Sequence, residues 1–288
     1  MRRFDYYRPA SVAEASSILR ERGPGGLLLA GGTDVLVQVK EAGLPVEYVV
    51  SLAAIEGLDG ITEEPAGLKI GARTRMIELA THPAVQSKYA ALADAAGLVG
   101  SIQTRHVATV GGNVCNAAPS ADTSPPLAVF GALVHIVGPA GERAMGLDGF
   151  WTGPGRTALR SGEVVTHFTL PAPGARSGSH YQRHTPRKVM DIAAVGTAVY
   201  LELDTAGICT AARIALGAVA PTVVRAPRAE AALLGKRVDE ASAAAAGAEA
   251  ATEATPISDQ RASAEFRTHL IEVMTKQSIL RAAARAGS

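Results

Sequence analysis

Two glycine pairs in the sequence could do chemistry, because each follows a short apolar run and lies beside small polar residues. Gly31 and Gly32 occur in LLLAGGTDVLV, and Gly111 and Gly112 occur in TVGGNVCNAAPSAD. A glycine pair after a strand lets the backbone adopt positive φ and removes the Cβ atoms that would hold a ligand away. Backbone amides exposed at such a turn can bind phosphate oxygens. Taken singly, either pair is more often a tight turn that binds nothing.

The segment from residue 109 to residue 122 carries more hydrogen-bonding groups than a turn requires. It contains Asn113, Asn116, Ser120 and Asp122 beside the glycines. The amides can donate and accept, and the carboxylate can accept the hydrogen bonds that ribose hydroxyls donate. Asparagine and serine also stabilise irregular loops by bonding the backbone, and this alternative stays open from the residues alone. The density of polar groups favours a ligand-binding role for this segment.

Neither segment matches a standard nucleotide-binding fingerprint. The sequence has no GxGxxG after a strand and no GxxxxGK[ST], so it offers no lysine to reach a terminal phosphate. These absences disfavour a Rossmann dehydrogenase, a kinase and an ATPase.

Composition excludes several other classes of function. Lys and Arg number 28 against 27 Asp and Glu, which gives no electrostatic reason to expect binding to nucleic acid or an anionic membrane. The two cysteines, Cys115 and Cys209, are too few for an iron–sulfur cluster. We expect them to be reduced thiols of a cytoplasmic protein. No HExxH motif is present, and we expect no metal site. No apolar run approaches a membrane span, and the first residues are typical of a mature protein rather than a signal peptide.

The elements around the first glycine pair form a small α/β unit. Ser11 and Glu14 fit a capping box at the start of a helix that ends at GPGG. LLLA (27–30) and EYVVSL (47–52) follow as predicted strands.

The rest of the chain divides into two further predicted units. LKIGA, ALVHIVG and EVVTHFTLP read as strands of the second unit, with helices at TRMIELATHP and KYAALADAAGLVGS. A stretch rich in Pro, Gly and Ser (170–180) predicts a boundary. Beyond it come three strand-like runs, SHYQRH, IAAVGTAVYLEL and CTAARIALGAVA, and helices at about 227–234, 239–253 and 260–286. The alanine-rich run 241–254 is predicted to be helix rather than linker, because alanine is the best helix former. The predicted domains are 1–58, 59–176 and 177–288.

Five segments, in order along nearly the whole chain, carry a resemblance to one family. They are LLLAGGTDVLVQVK, TVGGNVCNAAPSADTSPPLAVFGA, GEVVTHFTLP, YQRHTPRKVMDIAAVGTAV and SDQRASAEFRTHLIEVM. Together they resemble the FAD-binding medium subunit of molybdenum hydroxylases of the xanthine dehydrogenase and carbon monoxide dehydrogenase type. The resemblance implies an α+β fold, with an FAD-binding region of two α/β subdomains (PCMH-type) and a C-terminal domain of antiparallel sheet packed with helices.

The resemblance also implies which residues hold noncovalent FAD. The first glycine turn (residues 29–36) would cradle the pyrophosphate, the second glycine segment (residues 109–122) would serve the phosphate, ribityl and adenosine ribose groups, and Lys188 and Ile192 would lie near the isoalloxazine. Val99 or Ile102 would line the adenine or ring pocket. The implied cofactor-binding residues are Leu29, Ala30, Gly31, Gly32, Thr33, Asp34, Val35, Leu36, Val99, Ile102, Thr109, Val110, Gly111, Gly112, Asn113, Asp122, Lys188 and Ile192.

Several single residues keep two interpretations. Lys188 could equally be a solvated surface lysine. Arg105 could bind a phosphate or cap the preceding helix, and Cys115 is expected to pack as a small apolar residue rather than to be redox-active.

The implied activity is electron transfer. The flavin would couple a one-electron iron–sulfur donor to a two-electron acceptor. The molybdopterin cofactor and the 2Fe-2S clusters are expected on partner subunits, one large and one small, and the acceptor stays open among NAD, oxygen, quinone and a carrier protein. The alternatives are a self-standing FAD-dependent oxidase or reductase and a non-redox FAD-binding scaffold.

Overall fold

The computed structural model describes residues 3–287, which form an α+β fold with three larger sheets and one two-stranded ribbon. Each sheet is built from a contiguous part of the chain. The fold class is the one expected from the sequence. Among the helices described, none has the length and hydropathy needed to cross a membrane.

The first unit is a three-stranded parallel sheet in the order β1–β3–β2. Its elements are β1 (Asp5–Tyr7), α1 (Val12–Arg22), β2 (Gly26–Leu29), α2 (Val35–Lys40) and β3 (Tyr48–Ser51). The two strands predicted from LLLA and EYVVSL are therefore confirmed. The carboxyl end of β2, the end at which ligands bind in α/β sheets, leads directly into the first glycine turn.

Helix α1 begins and ends at the predicted signals, with one difference in its cap. The Ser11 Oγ accepts the Glu14 amide at 3.2 Å, as in a capping box. The Glu14 carboxylate, however, accepts from the Ala10 amide at 2.8 Å rather than from Ser11. The reciprocal half of the predicted capping box is thus displaced by one residue. The helix ends at Gly23, whose φ is +78°.

The second unit is a five-stranded antiparallel sheet in the order β4–β5–β10–β6–β7, covered by helices. Its strands are β4 (Ile61–Glu64), β5 (Gly67–Gly71), β6 (Leu133–Gly138), β7 (Gly141–Gly146) and β10 (Val164–Pro171), with a ribbon of β8 (Trp151–Gly153) and β9 (Arg156–Thr157). Its helices are α3 (Met76–Thr81), α4 (Pro83–Lys88), α5 (Ala90–Leu98), α6 (Ile102–Arg105), α7 (Val110–Asn116) and α8 (Ser124–Val129), and a 3₁₀ turn spans Leu147–Gly149. The sequence predicted β5, β6 and β10. It missed the outer strands β4 and β7, since edge strands are mostly exposed and carry no clear apolar alternation.

The core of the second unit lies on one face of this sheet. Ile70, Ile136 and Phe168 are fully buried there, in one cluster with Leu79 and Leu92 from the helices. Burial of each such side chain contributes about 1.5–3 kcal/mol. The same cluster continues into the third sheet, so the second and third units share a core around the second glycine segment.

The third unit is a four-stranded antiparallel sheet in the order β11–β12–β13–β14, packed against helices. Its elements are β11 (Ser177–His184), β12 (Val195–Leu203), β13 (Cys209–Gly217), β14 (Val224–Arg225), α9 (Pro227–Leu233), α10 (Glu240–Glu253) and α11 (Ala264–Ala286). The alanine-rich run folds as α10, as predicted. Its Gly247 lies so close to α11 that an added Cβ would be 2.5 Å from the Glu272 carbonyl oxygen.

The observed start of the last helix differs from the predicted one. The last helix begins at Ala264 rather than at 260, because Ser263 caps it by accepting the Phe266 amide at 3.1 Å. The domain bounds 1–58, 59–176 and 177–288 stay a prediction, and their outermost residues 1, 2 and 288 lie outside the described residues.

Candidate functional site

The first glycine turn connects the carboxyl end of β2 to α2. Gly32 has a φ of +77°, in the left-handed region that favours glycine, and its carbonyl accepts the Leu36 amide at 3.1 Å. A Cβ at Gly32 would lie 2.8 Å from the Leu29 side chain. The turn is therefore tight and needs glycine at this position.

Gly31 brings the first glycine turn against the chain that leads into the second glycine segment. A Cβ at Gly31 would lie 2.9 Å from the Val107 carbonyl carbon, closer still to its oxygen, and 3.1 Å from the Ala108 Cα. A second contact joins the same regions, since the Gln38 amide donates to the Asn116 side-chain oxygen at 3.3 Å. The two glycine pairs are thus neighbours in space although about eighty residues separate them in the sequence.

The second glycine pair is helical, which corrects the expectation of a turn with positive φ. Gly111 and Gly112 lie in the first turn of α7, and Thr109 caps the helix by accepting the Gly112 amide at 3.2 Å. Of the four glycines in these two pairs, only Gly32 has positive φ. Gly111 is required for another reason: its Cβ would lie 2.6 Å from the Ala72 carbonyl oxygen. Close packing, rather than backbone conformation, explains glycine here.

Asn113 is held in a defined orientation at the start of α7. The Thr123 hydroxyl donates to its amide oxygen at 2.6 Å. This bond uses the oxygen and leaves the amide nitrogen available as a donor. Asn113 is only partly buried, so such a donor is accessible to a ligand.

Asp122 is buried and already bonded to two residues of β11. Tyr181 donates its hydroxyl to one carboxylate oxygen at 2.8 Å, and Arg183 forms an ion pair with the other oxygen. Burial raises the pKa of the Asp122 carboxyl, and Arg183 and Tyr181 act in the opposite direction. Each oxygen keeps a further lone pair, so a ribose bond is compatible with this arrangement. Its role towards a ribose stays a prediction.

The loop between β11 and β12 (residues 185–194) presents side chains to the surface. Asp191 organises this β11–β12 loop by accepting the Ile192 amide at 2.8 Å and the Arg187 amide at 3.0 Å. Hydrogen bonding from Arg187 lowers the pKa of Asp191. Val189 and Met190 are 72% and 60% exposed, and Ile192 is 48% exposed. The loop therefore holds an apolar surface in contact with solvent in the isolated chain.

These residues could hold a dinucleotide. A Cβ at Gly112 would meet only the Thr109 hydroxyl, so the backbone there is accessible to a ligand, and Asn113 supplies an oriented amide. No group of three or more His, Cys, Asp or Glu within residues 3–287 is placed to hold a metal ion.

Comparison with known proteins identifies the family. Residues 2–173 match the FAD binding domain in molybdopterin dehydrogenase, and residues 180–282 match the carbon monoxide dehydrogenase flavoprotein C-terminal domain. The chain belongs to the FAD-binding subunits of the molybdenum hydroxylases.

Relatives and solved structures agree with this assignment over the full length. The chain is 37% identical to the xanthine dehydrogenase FAD-binding subunit of Escherichia coli O157:H7, covering 98% of this chain and 97% of that one. It is 33% identical to the carbon monoxide dehydrogenase medium chain of Afipia carboxidovorans, covering 98% of both. A structure of carbon monoxide dehydrogenase from Hydrogenophaga pseudoflava superposes with a TM-score of 0.94 at 35% identity, covering 99% of this chain and 98% of that chain.

In this FAD-binding subunit, the remaining candidates fall in different environments. Ile102 is 63% exposed on α6, whereas Val99 packs partly buried against the core. Arg105 donates to the Val99 carbonyl at 3.0 Å, so it caps the end of α5. Burial raises the pKa of the Cys115 thiol to about 12, which keeps it neutral and supports the packing interpretation. Lys188 is exposed on the β11–β12 loop.

Tyr181 and Arg183 of this FAD-binding subunit were not predicted from the sequence as site residues. They are two positions apart on β11, so they lie on one face of the strand and both reach Asp122. Arg183 also donates to the Leu98 carbonyl at 2.9 Å. The available signal was an alternating polar pair inside YQRH, one of the segments that carried the resemblance.

Proposed function

We propose that the chain binds one FAD noncovalently across the first glycine turn and the second glycine segment. With it, the chain passes electrons from iron–sulfur clusters of a partner subunit to an external acceptor. The observation that carries the proposal is the close approach of Gly31 to the Val107–Ala108 backbone. Two glycine-containing segments that meet in this way can enclose one dinucleotide from two sides.

The backbone of the first glycine turn would bind the pyrophosphate. Gly31, Gly32 and Thr33 follow the carboxyl end of β2 and are partly accessible. Amides at such a turn bind phosphate oxygens without a lysine, which agrees with the lack of a P-loop lysine in the sequence.

The second glycine segment would bind the ribityl and ribose hydroxyls. Thr109 and Asn113 supply a hydroxyl and an amide, and Asp122 supplies a carboxylate fixed by Tyr181 and Arg183. A carboxylate held by two donors does not reorganise when the ligand binds, which favours affinity.

The β11–β12 loop would lie beside the isoalloxazine through Lys188 and Ile192. Flavin, when bound, accepts electrons singly and delivers them singly or in pairs. The residues of this chain bind and orient the cofactor and exclude water from its polar groups. A self-standing FAD oxidase would need a proton donor or base placed at the flavin. Among the described residues of the site, the geometry assigns none to this role.

The partners follow from what the chain lacks. Its two cysteines are too few to ligate an iron–sulfur cluster, so we infer that the clusters lie on a small partner subunit. In keeping with the family match, the molybdopterin cofactor is assigned to a large subunit. The exposed apolar side chains of the β11–β12 loop give the small subunit a surface to cover. Free thiols also support a cytoplasmic location. The acceptor belongs to the set of NAD, oxygen, quinone and a carrier protein.

The test is expression of the chain with and without its partner subunits. We expect about one FAD per chain, released intact by acid, and substrate-dependent dye reduction only in the complex. FMN, a covalently retained flavin, or full substrate turnover by the isolated chain would contradict the proposal.

A further inference from the structure

An ion pair between a buried arginine of α11 and an aspartate just before the helix is not used by the proposed FAD contacts. Arg267 is 3% exposed and donates to the Asp259 carboxylate at 2.6 Å. Both residues belong to SDQRASAEFR, a segment that carried the family resemblance but contains none of the implied cofactor-binding residues. A buried guanidinium is costly unless its donors are bonded, so its partners indicate its role.

Arg267 also bonds the base of the β11–β12 loop. Its guanidinium donates to the Ala194 carbonyl at 3.0 Å. Ala194 in turn donates its amide to the His184 carbonyl at 2.9 Å, which closes the loop where it leaves β11 and enters β12. Lys188 and Ile192 lie on this closed loop, so the position of the loop base constrains their positions.

The same guanidinium nitrogen reaches a second backbone segment. It donates to the Ala218 carbonyl at 2.9 Å. Ala218 has a φ of +63°, unusual for a residue other than glycine, and its amide donates to the Pro119 carbonyl at 2.7 Å. A left-handed alanine is strained and persists only where its surroundings hold it. Pro119 belongs to the second glycine segment, three residues before Asp122.

Backbone amides of its own turn also hold the Asp259 carboxylate in place. It accepts the Arg261 amide at 2.8 Å and the Ala262 amide at 3.3 Å, forming a tight turn before α11. These bonds, with the one from Arg267, lower the pKa of Asp259 to about 2. The carboxylate therefore stays ionised and holds the guanidinium in one orientation.

We propose that Asp259 and Arg267 form a positioning pair that sets the spacing between the β11–β12 loop and the second glycine segment. The inference rests on the proposed function, because the assignment of Lys188 and Asp122 to the flavin is made there. Arg267 acts on the cofactor only through the two backbones it joins. Lysine cannot replace it, since one ammonium lacks the planar fork that serves a carboxylate and two carbonyls together.

The test uses the full chain carrying FAD, with the variants Arg267→Lys, Lys188→Ala and the two combined. Arg225→Lys is the matched control, because Arg225 is also ion-paired on the third unit, to Glu230 at 2.7 Å. The readouts are the FAD dissociation constant, the flavin midpoint potential and the visible circular dichroism of bound flavin, all taken well below the unfolding temperature.

We expect Arg267→Lys to weaken FAD binding by about tenfold, the size of one lost charge-assisted hydrogen bond. It should also shift the flavin potential and dichroism, and its effect should be smaller once Lys188→Ala is present. Arg225→Lys should leave all three readouts unchanged. If Arg267→Lys does not fold, Asp259→Asn, which removes the charge and one acceptor oxygen but keeps the size of the side chain, is expected to give the same shifts at reduced size.

The outcomes distinguish failure of the positioning inference from failure of the proposed FAD site. If Lys188→Ala changes the flavin readouts while Arg267→Lys and Asp259→Asn lower only the unfolding temperature, the pair is structural and the positioning inference is wrong. If Lys188→Ala, Gly32→Val and Gly112→Val all leave FAD binding intact, the proposed site itself is wrong, and the positioning inference falls with it.

Discussion

Substitution of Gly31 by alanine gives a sharp test of the proposed FAD site. Gly31 does not have positive φ, so alanine is allowed by the backbone and any effect must come from the added methyl group. That methyl group would lie 2.9 Å from the Val107 carbonyl carbon, whereas ordinary contact begins near 3.4 Å. The Val107 oxygen is closer still, so the two segments must separate by roughly 1 Å in a close-packed region.

The cost of that separation has two parts. Overpacking of this kind lowers the free energy of unfolding by about 1–3 kcal/mol. If the FAD pyrophosphate binds beside this contact and touches both segments, a comparable loss of binding energy raises the dissociation constant by about 10–100-fold.

The assay is titration of the flavin-free chain with FAD, followed by flavin fluorescence, beside a thermal unfolding curve. Gly146→Ala is the control, because Gly146 has a φ of −69° and an added Cβ there meets nothing within 4 Å. We expect the control to bind FAD normally. Wild-type FAD affinity in Gly31→Ala would show that the junction of the two segments is not part of the site.

Three further predictions follow from other parts of the molecule. Asp122→Asn should weaken FAD binding by about 1–3 kcal/mol, and it leaves Arg183 buried without its ion pair. Equilibrium dialysis with FAD measures the change, and an unchanged affinity would contradict the ribose assignment. Burial lowers the pKa of His167 and of His180 to about 4, so the folded chain stays neutral at these rings while the unfolded chain takes up protons below about pH 6.5. The two neutral rings therefore contribute to the free energy of unfolding fully above pH 6.5, and this contribution is lost as the pH falls towards 4. Denaturant unfolding at several pH values should show the decline. His180→Asn should make the decline smaller. Gly247→Leu should lower the free energy of unfolding by at least about 1–3 kcal/mol by forcing α10 away from Glu272, with FAD content in the folded fraction unchanged.

The sequence by itself determined most of the local structure. The Ser11 cap, the glycine after α1 and the alanine-rich run each depend on neighbours within a few residues, and each appears in the structure as predicted apart from the carboxylate of Glu14. The buried strands β5, β6 and β10 were also predictable, since a strand with a buried face carries an apolar pattern. The exposed outer strands carry no such pattern, and they were missed.

The family and its cofactor were also predictable, because five segments in order are far more specific than one motif. The conformation of the glycines was not. Gly111 looks like Gly31 in sequence, yet it lies in a helix, and the reason for glycine there is the carbonyl of Ala72, which is about forty residues away.

Only the tertiary structure decided which groups meet. Gly31 approaches Val107, Asp122 is held by Tyr181 and Arg183, and Arg267 joins Ala194 to Ala218. Each of these contacts links residues tens of positions apart, so no local propensity encodes it. Such contacts arise when whole sheets and helices bury their apolar faces against one another, and that packing fixes the polar groups at the positions from which they can bind.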